Sequence, residues 1–249
     1  MTSTAMDGPF KTQQDLMSGP KRASGLFWPM ELGKDGVKHP IFLFGCGGGS
    51  NPATYAPRLN RIASHGFVVL ADVQNIGDND AVFKASLDWI LAENMRADSP
   101  LFGKLDSTKI AAGGHSIGSV NAFFFAPDPR LTTTIHVAGG SLDNVNDPRS
   151  PTTGMGGKSL KHPSAFITGD SDSFGNIEKA AKDYEAATVP VYFTQIGATN
   201  HIAAVESGLP VIIAWLRWHL AGEIERRSAF LDPMGEFNSG KYKSQSKNW

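Results

Sequence analysis

Gly114-His115-Ser116-Ile117-Gly118 fits G-x-S-x-G, a pattern in which a serine sits on a sharp turn with its hydroxyl free to attack a carbonyl carbon. Glycine accounts for 27 of the 249 residues, so the pattern alone is weak and its context decides. The pentapeptide follows the strand-like Lys109-Ile110-Ala111-Ala112-Gly113 and opens into the helical Ser119-Val120-Asn121-Ala122. That is the strand, turn, helix setting such a serine needs. Small residues two before and two after Ser116 let a strained backbone pass close to its neighbours.

A neutral serine is a poor nucleophile unless an imidazole takes its proton, and the imidazole needs a carboxylate to fix its tautomer. On this kind of turn the chain order is Ser, acid, His, with the acid and the base each in a loop after a later strand. Asp170 and Asp172 follow the strand-like 164–169, and His201 follows the strand-like 190–197. Of seven histidines, His39, His65, His162 and His219 stand at strand entries or in helices and read as packing or surface residues. His201 is therefore the candidate base. Asp172 is favoured over Asp170 because the turn must leave the sheet before a carboxylate can point back; Asp170 then belongs to the turn. Asp72, Asp143 and Asp147 are weaker choices by position. His115, His136, Gly139 and Asn200 are candidates for the wall of the substrate cleft.

Acyl transfer also needs two backbone N–H groups aimed at the developing oxyanion. One is expected from Ile117. The other is expected from the glycine-rich loop 44–51, with Cys46 preferred and Gly47, Gly48 or Gly49 as alternatives. No Gly-Lys-Ser/Thr follows that loop, which argues against a phosphate cradle. Cys46 has no base placed for it and is not read as a nucleophile.

The elements that must hold these residues alternate. Strand-like runs at 39–45, 66–72, 108–114, 132–139, 164–169 and 190–197 are separated by helical patterns at 52–65, 80–95, from 116, 176–187 and 208–225. The pattern predicts an α/β fold with a mainly parallel, doubly wound sheet covered by helices on both faces. Ligands in such sheets sit beyond the carboxyl ends of the strands. One domain over 1–230 is expected, with 231–249 as a polar surface or disordered tail. The loop 140–163 is too short for a large lid, so an open cleft is expected.

Lys and Arg total 23 against 24 for Asp and Glu, a net charge of −1 without like-charge runs, which argues against nucleic acid as a partner. The single cysteine permits no internal disulfide. No apolar run spans a bilayer, and no metal or cofactor is implied. Residues 1–16 lack the regions of a secretory leader, so the location stays open between secreted, if a leader was removed, and cytoplasmic. A monomer is expected.

Several segments together resemble the α/β-hydrolases of the polyester hydrolase and cutinase-like group, which includes enzymes acting on poly(ethylene terephthalate) and is related to the dienelactone hydrolases. They are 7–10, 55–75, the turn around Ser116, 167–172, 197–203 and 215–230. The resemblance implies a serine carboxylic-ester hydrolase without cofactor, with Ser116, Asp172 and His201 as the triad and the N–H groups of Ile117 and Cys46 as the oxyanion hole. Short- to medium-chain esters and polyesters are the implied substrates, and the group is secreted. The chain departs from the group at Cys46 and after the strand at 132–139, where aromatics usually form a clamp, and it lacks the group's terminal disulfide. Gly47-Gly48-Gly49 also resembles the oxyanion loop of the GGGX esterases, which implies Gly48 or Gly49 as the donor. The alternatives are a small-molecule carboxylesterase without polymer activity and a catalytically silent hydrolase fold that only binds.

Overall fold

The parallel strands form where the apolar runs are densest. A computed structural model of the chain describes residues 2–141, 156–174 and 176–249. Strands β3 (His39–Gly45), β4 (Val68–Asp72), β5 (Leu105–His115), β6 (Thr133–Val137), β7 (Ser164–Gly169) and β8 (Val191–Ile196) run parallel in the spatial order β4-β3-β5-β6-β7-β8. Two-residue periodicity assigns each side chain to a face: in β3, Phe42 and Phe44 join one core, while Ile41 and Leu43 join the other.

Helices α1 (Pro52–Ala63) and α5 (Ala204–His219) cover the first face. Helices α2 (Ala81–Met95), α3 (Ile117–Phe125) and α4 (Asn176–Ala186) cover the second. Asn51 starts α1 by accepting the Thr54 N–H, with Pro52 in the first turn where its missing N–H costs nothing. A short α6 (Arg227–Leu231) sends Phe230 into the first core. The fold is thus the α/β-hydrolase arrangement of a mostly parallel sheet between helices.

Three antiparallel strands enlarge the sheet beyond the expectation. β1 (Thr12–Ser18) and β2 (Ser24–Pro29) form a hairpin added beside β4. The tail 231–249, expected to be polar surface or disordered, requires a correction: β9 (Tyr242–Lys247) pairs antiparallel with β8 along six residues. Phe237 is fully buried, and the Tyr192 hydroxyl donates to its carbonyl at 2.7 Å. The polar, lysine-bearing β9 therefore covers the edge that β8 would otherwise expose. No helix among the described residues is long and apolar enough to cross a membrane.

Candidate active site

The carboxyl ends of β3, β5, β7 and β8 converge on one cleft of about 500 Å³. Ser116 follows directly on β5, with φ 55° and ψ −118°, a strained conformation for a residue with a Cβ. Its N–H donates to Val137 O at 2.9 Å, and α3 begins at the next residue. Ser116, Ile117 and His201 all line the cleft.

The turn after β7 carries Asp172 and the turn after β8 carries His201, and the structure brings the two side chains together, Nδ1 to Oδ2 at 2.9 Å. A carboxylate only accepts, so Nδ1 carries the proton and Nε2 is left free as a base. Burial alone would raise the Asp172 pKa, but hydrogen bonds from His201, the Phe174 N–H and the Asn176 amide outweigh it and hold the carboxyl below its usual range. Asn176 Nδ2 lies 3.1 Å from Asp172 Oδ2 and 3.2 Å from His201 Nδ1. Since Nδ1 is itself a donor, the amide serves the carboxylate. Asp170 is an exposed turn residue that accepts from the Thr199 N–H and the Ser171 hydroxyl.

In the glycine loop after β3, the Cys46 N–H donates to Asp72 O at 2.9 Å and the residue is fully buried, so the preference for Cys46 as oxyanion donor is corrected. Burial also pushes its thiol well above the usual range. The Gly47 N–H is committed to the Tyr55 hydroxyl at 3.0 Å. Gly48 N–H and Ile117 N–H have no acceptor among the described residues, and a Cβ on Gly48 would stand 3.4 Å from the Ile117 side chain.

His115 is among the residues that line the cleft, but its ring is engaged. Nε2 lies 3.0 Å from His201 O, which can only accept, so Nε2 carries the hydrogen. Burial pushes the pKa down to about 4 and keeps the ring neutral, leaving Nδ1 to accept from the Tyr55 hydroxyl at 2.7 Å. A directed chain thus runs from Gly47 N–H through Tyr55 and His115 to the backbone of His201. It ties the glycine loop to the loop of the candidate base. Sequence reasoning does not single out Tyr55 or Asn176; the one available signal is that each stands in the first turn of a helix beside an expected site loop.

The other cleft candidates lie elsewhere. His136 is fully buried, its ring 3.8 Å from that of Phe123 and 5.5 Å from that of Phe166, so its placement on the cleft wall is corrected. Gly139 packs against Ser119, leaving no room for a side chain, and Asn200 is an exposed cap on the Ala203 N–H. Asp143 and Asp147 lie outside the described residues. Among the described residues no cluster of ligands fit for a metal occurs.

The sequence profile of the PETase family, described as PET hydrolase-like, matches residues 2–248. The chain belongs to the PET hydrolase-like family. As a member, it is an ester hydrolase of the cutinase and polyesterase type. No curated protein gives a significant match. In this PET hydrolase-like chain the cleft's lining includes exposed Phe174, with a ring 4.6 Å from that of His201, and exposed Ile202.

The buried histidines are expected to make this fold acid-sensitive. Burial lowers His115 to about 4, His136 to about 3 and His219 to about 4, whereas an unfolded chain titrates near 6.5. Between those values the unfolded state binds protons that the folded state does not, so stability is full above pH ~6.5 and falls as pH drops towards 4. His115 alone is expected to account for on the order of 3 kcal/mol over that range. Urea unfolding from pH 8 to 4 checks this: a flat profile would contradict it, and His136→Phe should shallow the slope.

Proposed function

We propose that the protein is a metal-independent serine carboxylic-ester hydrolase working through an acyl-enzyme. Ser116 Oγ attacks the ester carbonyl while His201 Nε2 takes its proton; Asp172, held by Asn176 and the Phe174 N–H, orients the imidazole and stabilises its charged form. The oxyanion meets the N–H groups of Ile117 and Gly48. The alcohol leaves with the proton from His201, and water repeats the cycle on the acyl-enzyme. The observation that carries this reading is the Asp172–His201 hydrogen bond in the cleft that a strained Ser116 also lines.

The apolar rim of Phe174 and Ile202 supports extended esters, polyesters included, beside short- and medium-chain ones. The test is covalent. A fluorophosphonate probe is expected to label Ser116 stoichiometrically, located by peptide mass spectrometry, and to abolish hydrolysis of p-nitrophenyl butyrate. Labelling elsewhere, or activity surviving full labelling, would overturn the assignment.

A further inference from the structure

The cleft has a charge pattern that ester cleavage alone does not require. Among its described lining residues two are cations, Arg58 and Lys179, and none is acidic. Arg58 is balanced, its Nε 3.0 Å from Glu206 Oε2. The Asp172 carboxylate is buried and occupied by His201, Asn176 and the Phe174 N–H. Lys179 makes no ion pair among the described residues.

Its position follows from the helix that carries it. Lys179 is three residues after Asn176 in α4, so both stand on one face a turn apart, and that face is the one Asn176 turns to Asp172 and His201. Lys179 and Ser116 line the same cleft, whose wall also carries the apolar Val120 and Phe174. A substrate spanning them would have a scissile ester at Ser116, an apolar spacer, and a group at the far end that satisfies an ammonium. A neutral alkyl ester would offer that ammonium no counter-charge.

Resting on the hydrolase reading above, we infer that the cleft selects esters whose acyl part ends in a free carboxylate, the half-esters of dicarboxylic acids, with Lys179 as the specificity-determining counter-ion. Such half-esters are what incomplete hydrolysis of a diacid polyester releases. The same site would then act on soluble fragments after chain cleavage.

The test compares kcat/KM for monoethyl adipate and ethyl hexanoate, which differ only in carboxylate against methyl at the far end. Wild type, Lys179→Met, Lys179→Arg and, as a control for overall charge, the exposed Lys182→Met are measured at low and high salt. Lys179→Met is expected to lower the half-ester preference about tenfold or more, mainly through KM, as loss of a partly buried charge-assisted contact should. Lys179→Arg should retain the preference, Lys182→Met should leave it unchanged, and 0.5 M salt should erode it by about half an order of magnitude or less. A preference in Lys179→Met equal to that of wild type, with ethyl hexanoate still turned over, overturns the inference and leaves the hydrolase reading standing. Failure of wild type on both esters, together with no fluorophosphonate label on Ser116, overturns that reading and the inference with it.

Discussion

Ser116→Ala and His201→Ala are each expected to lower kcat/KM for p-nitrophenyl butyrate by about 10⁴-fold or more, and the double variant by little further, because the two groups act as one unit. Asp172→Asn is expected to cost about 10⁴-fold by a different route. Asp172 accepts from the His201 Nδ1–H, the Phe174 N–H and the Asn176 amide, so the site supplies donors and needs an acceptor. An asparagine amide there brings a donor against donors, or turns the ring to the tautomer whose Nε2 cannot take the serine proton. Asp170→Asn, an exposed turn position two residues away, should change the rate little. Steady-state rates with all variants folded, checked by circular dichroism, decide the matter. Full activity in Ser116→Ala would mean that the turn is structural and the mechanism wrong.

The parts of this architecture legible in the sequence are those where burial is two-sided. β3 and β7 occur at the residues expected, because a strand covered on both faces must be apolar throughout and cannot be mistaken for a surface segment. The hairpin β1–β2 and the edge strand β9 carry no such signal. Thr12–Ser18 is mostly exposed and reads as polar chain, and Tyr242–Lys247 is stabilised by ladder bonds to β8 that any side chains could accompany. Helix α5 starts at Ala204, four residues before the helical pattern at 208–225, because Ala204–Ser207 is too short and too mixed to show an apolar stripe; the Asn200 side chain accepts from the Ala203 N–H in the turn just before it.

The site divides in the same way. Chain order and loop position singled out Asp172 and His201, whose side chains the structure places in hydrogen-bonding contact. The oxyanion loop was not resolved by sequence because the choice among Cys46, Gly47 and Gly48 depends on which N–H is already occupied. Asp72 O takes the first and the Tyr55 hydroxyl the second, both from elements distant in the chain. His136 was misplaced for a similar reason. It lies on β6 beside β5, which ends just before Ser116, but its ring points into the core between Phe123 and Phe166 rather than towards the carboxyl ends of the strands.

The second large effect is expected at Gly118, two residues after Ser116 and not among the residues that line the cleft. The sharp turn at Ser116 brings the start of α3 back onto the end of β3, and three glycines meet there backbone to backbone. A Cβ on Gly114 would lie 2.6 Å from both Gly45 O and the carbonyl carbon of Gly118, and one on Gly45 would lie 2.7 Å from Gly118 Cα. A Cβ on Gly118 would overlap the Gly45 carbonyl itself, where no flexible side chain can move aside. Relief requires α3 to move off the sheet, which pulls Ser116 from its strained position and separates Ile117 N–H from the loop of Gly48. Gly118→Ala is therefore expected to lose more than about 4 kcal/mol of stability, beyond the range of ordinary substitutions, and with it the esterase activity. The comparison is Gly36→Ala, at φ 76° with open space around it, which carries only the left-handed backbone cost of about 1 kcal/mol. Urea unfolding of the two variants measures the difference directly. Equal losses would mean that the close approach at the turn relaxes at little cost and does not require glycine at 118.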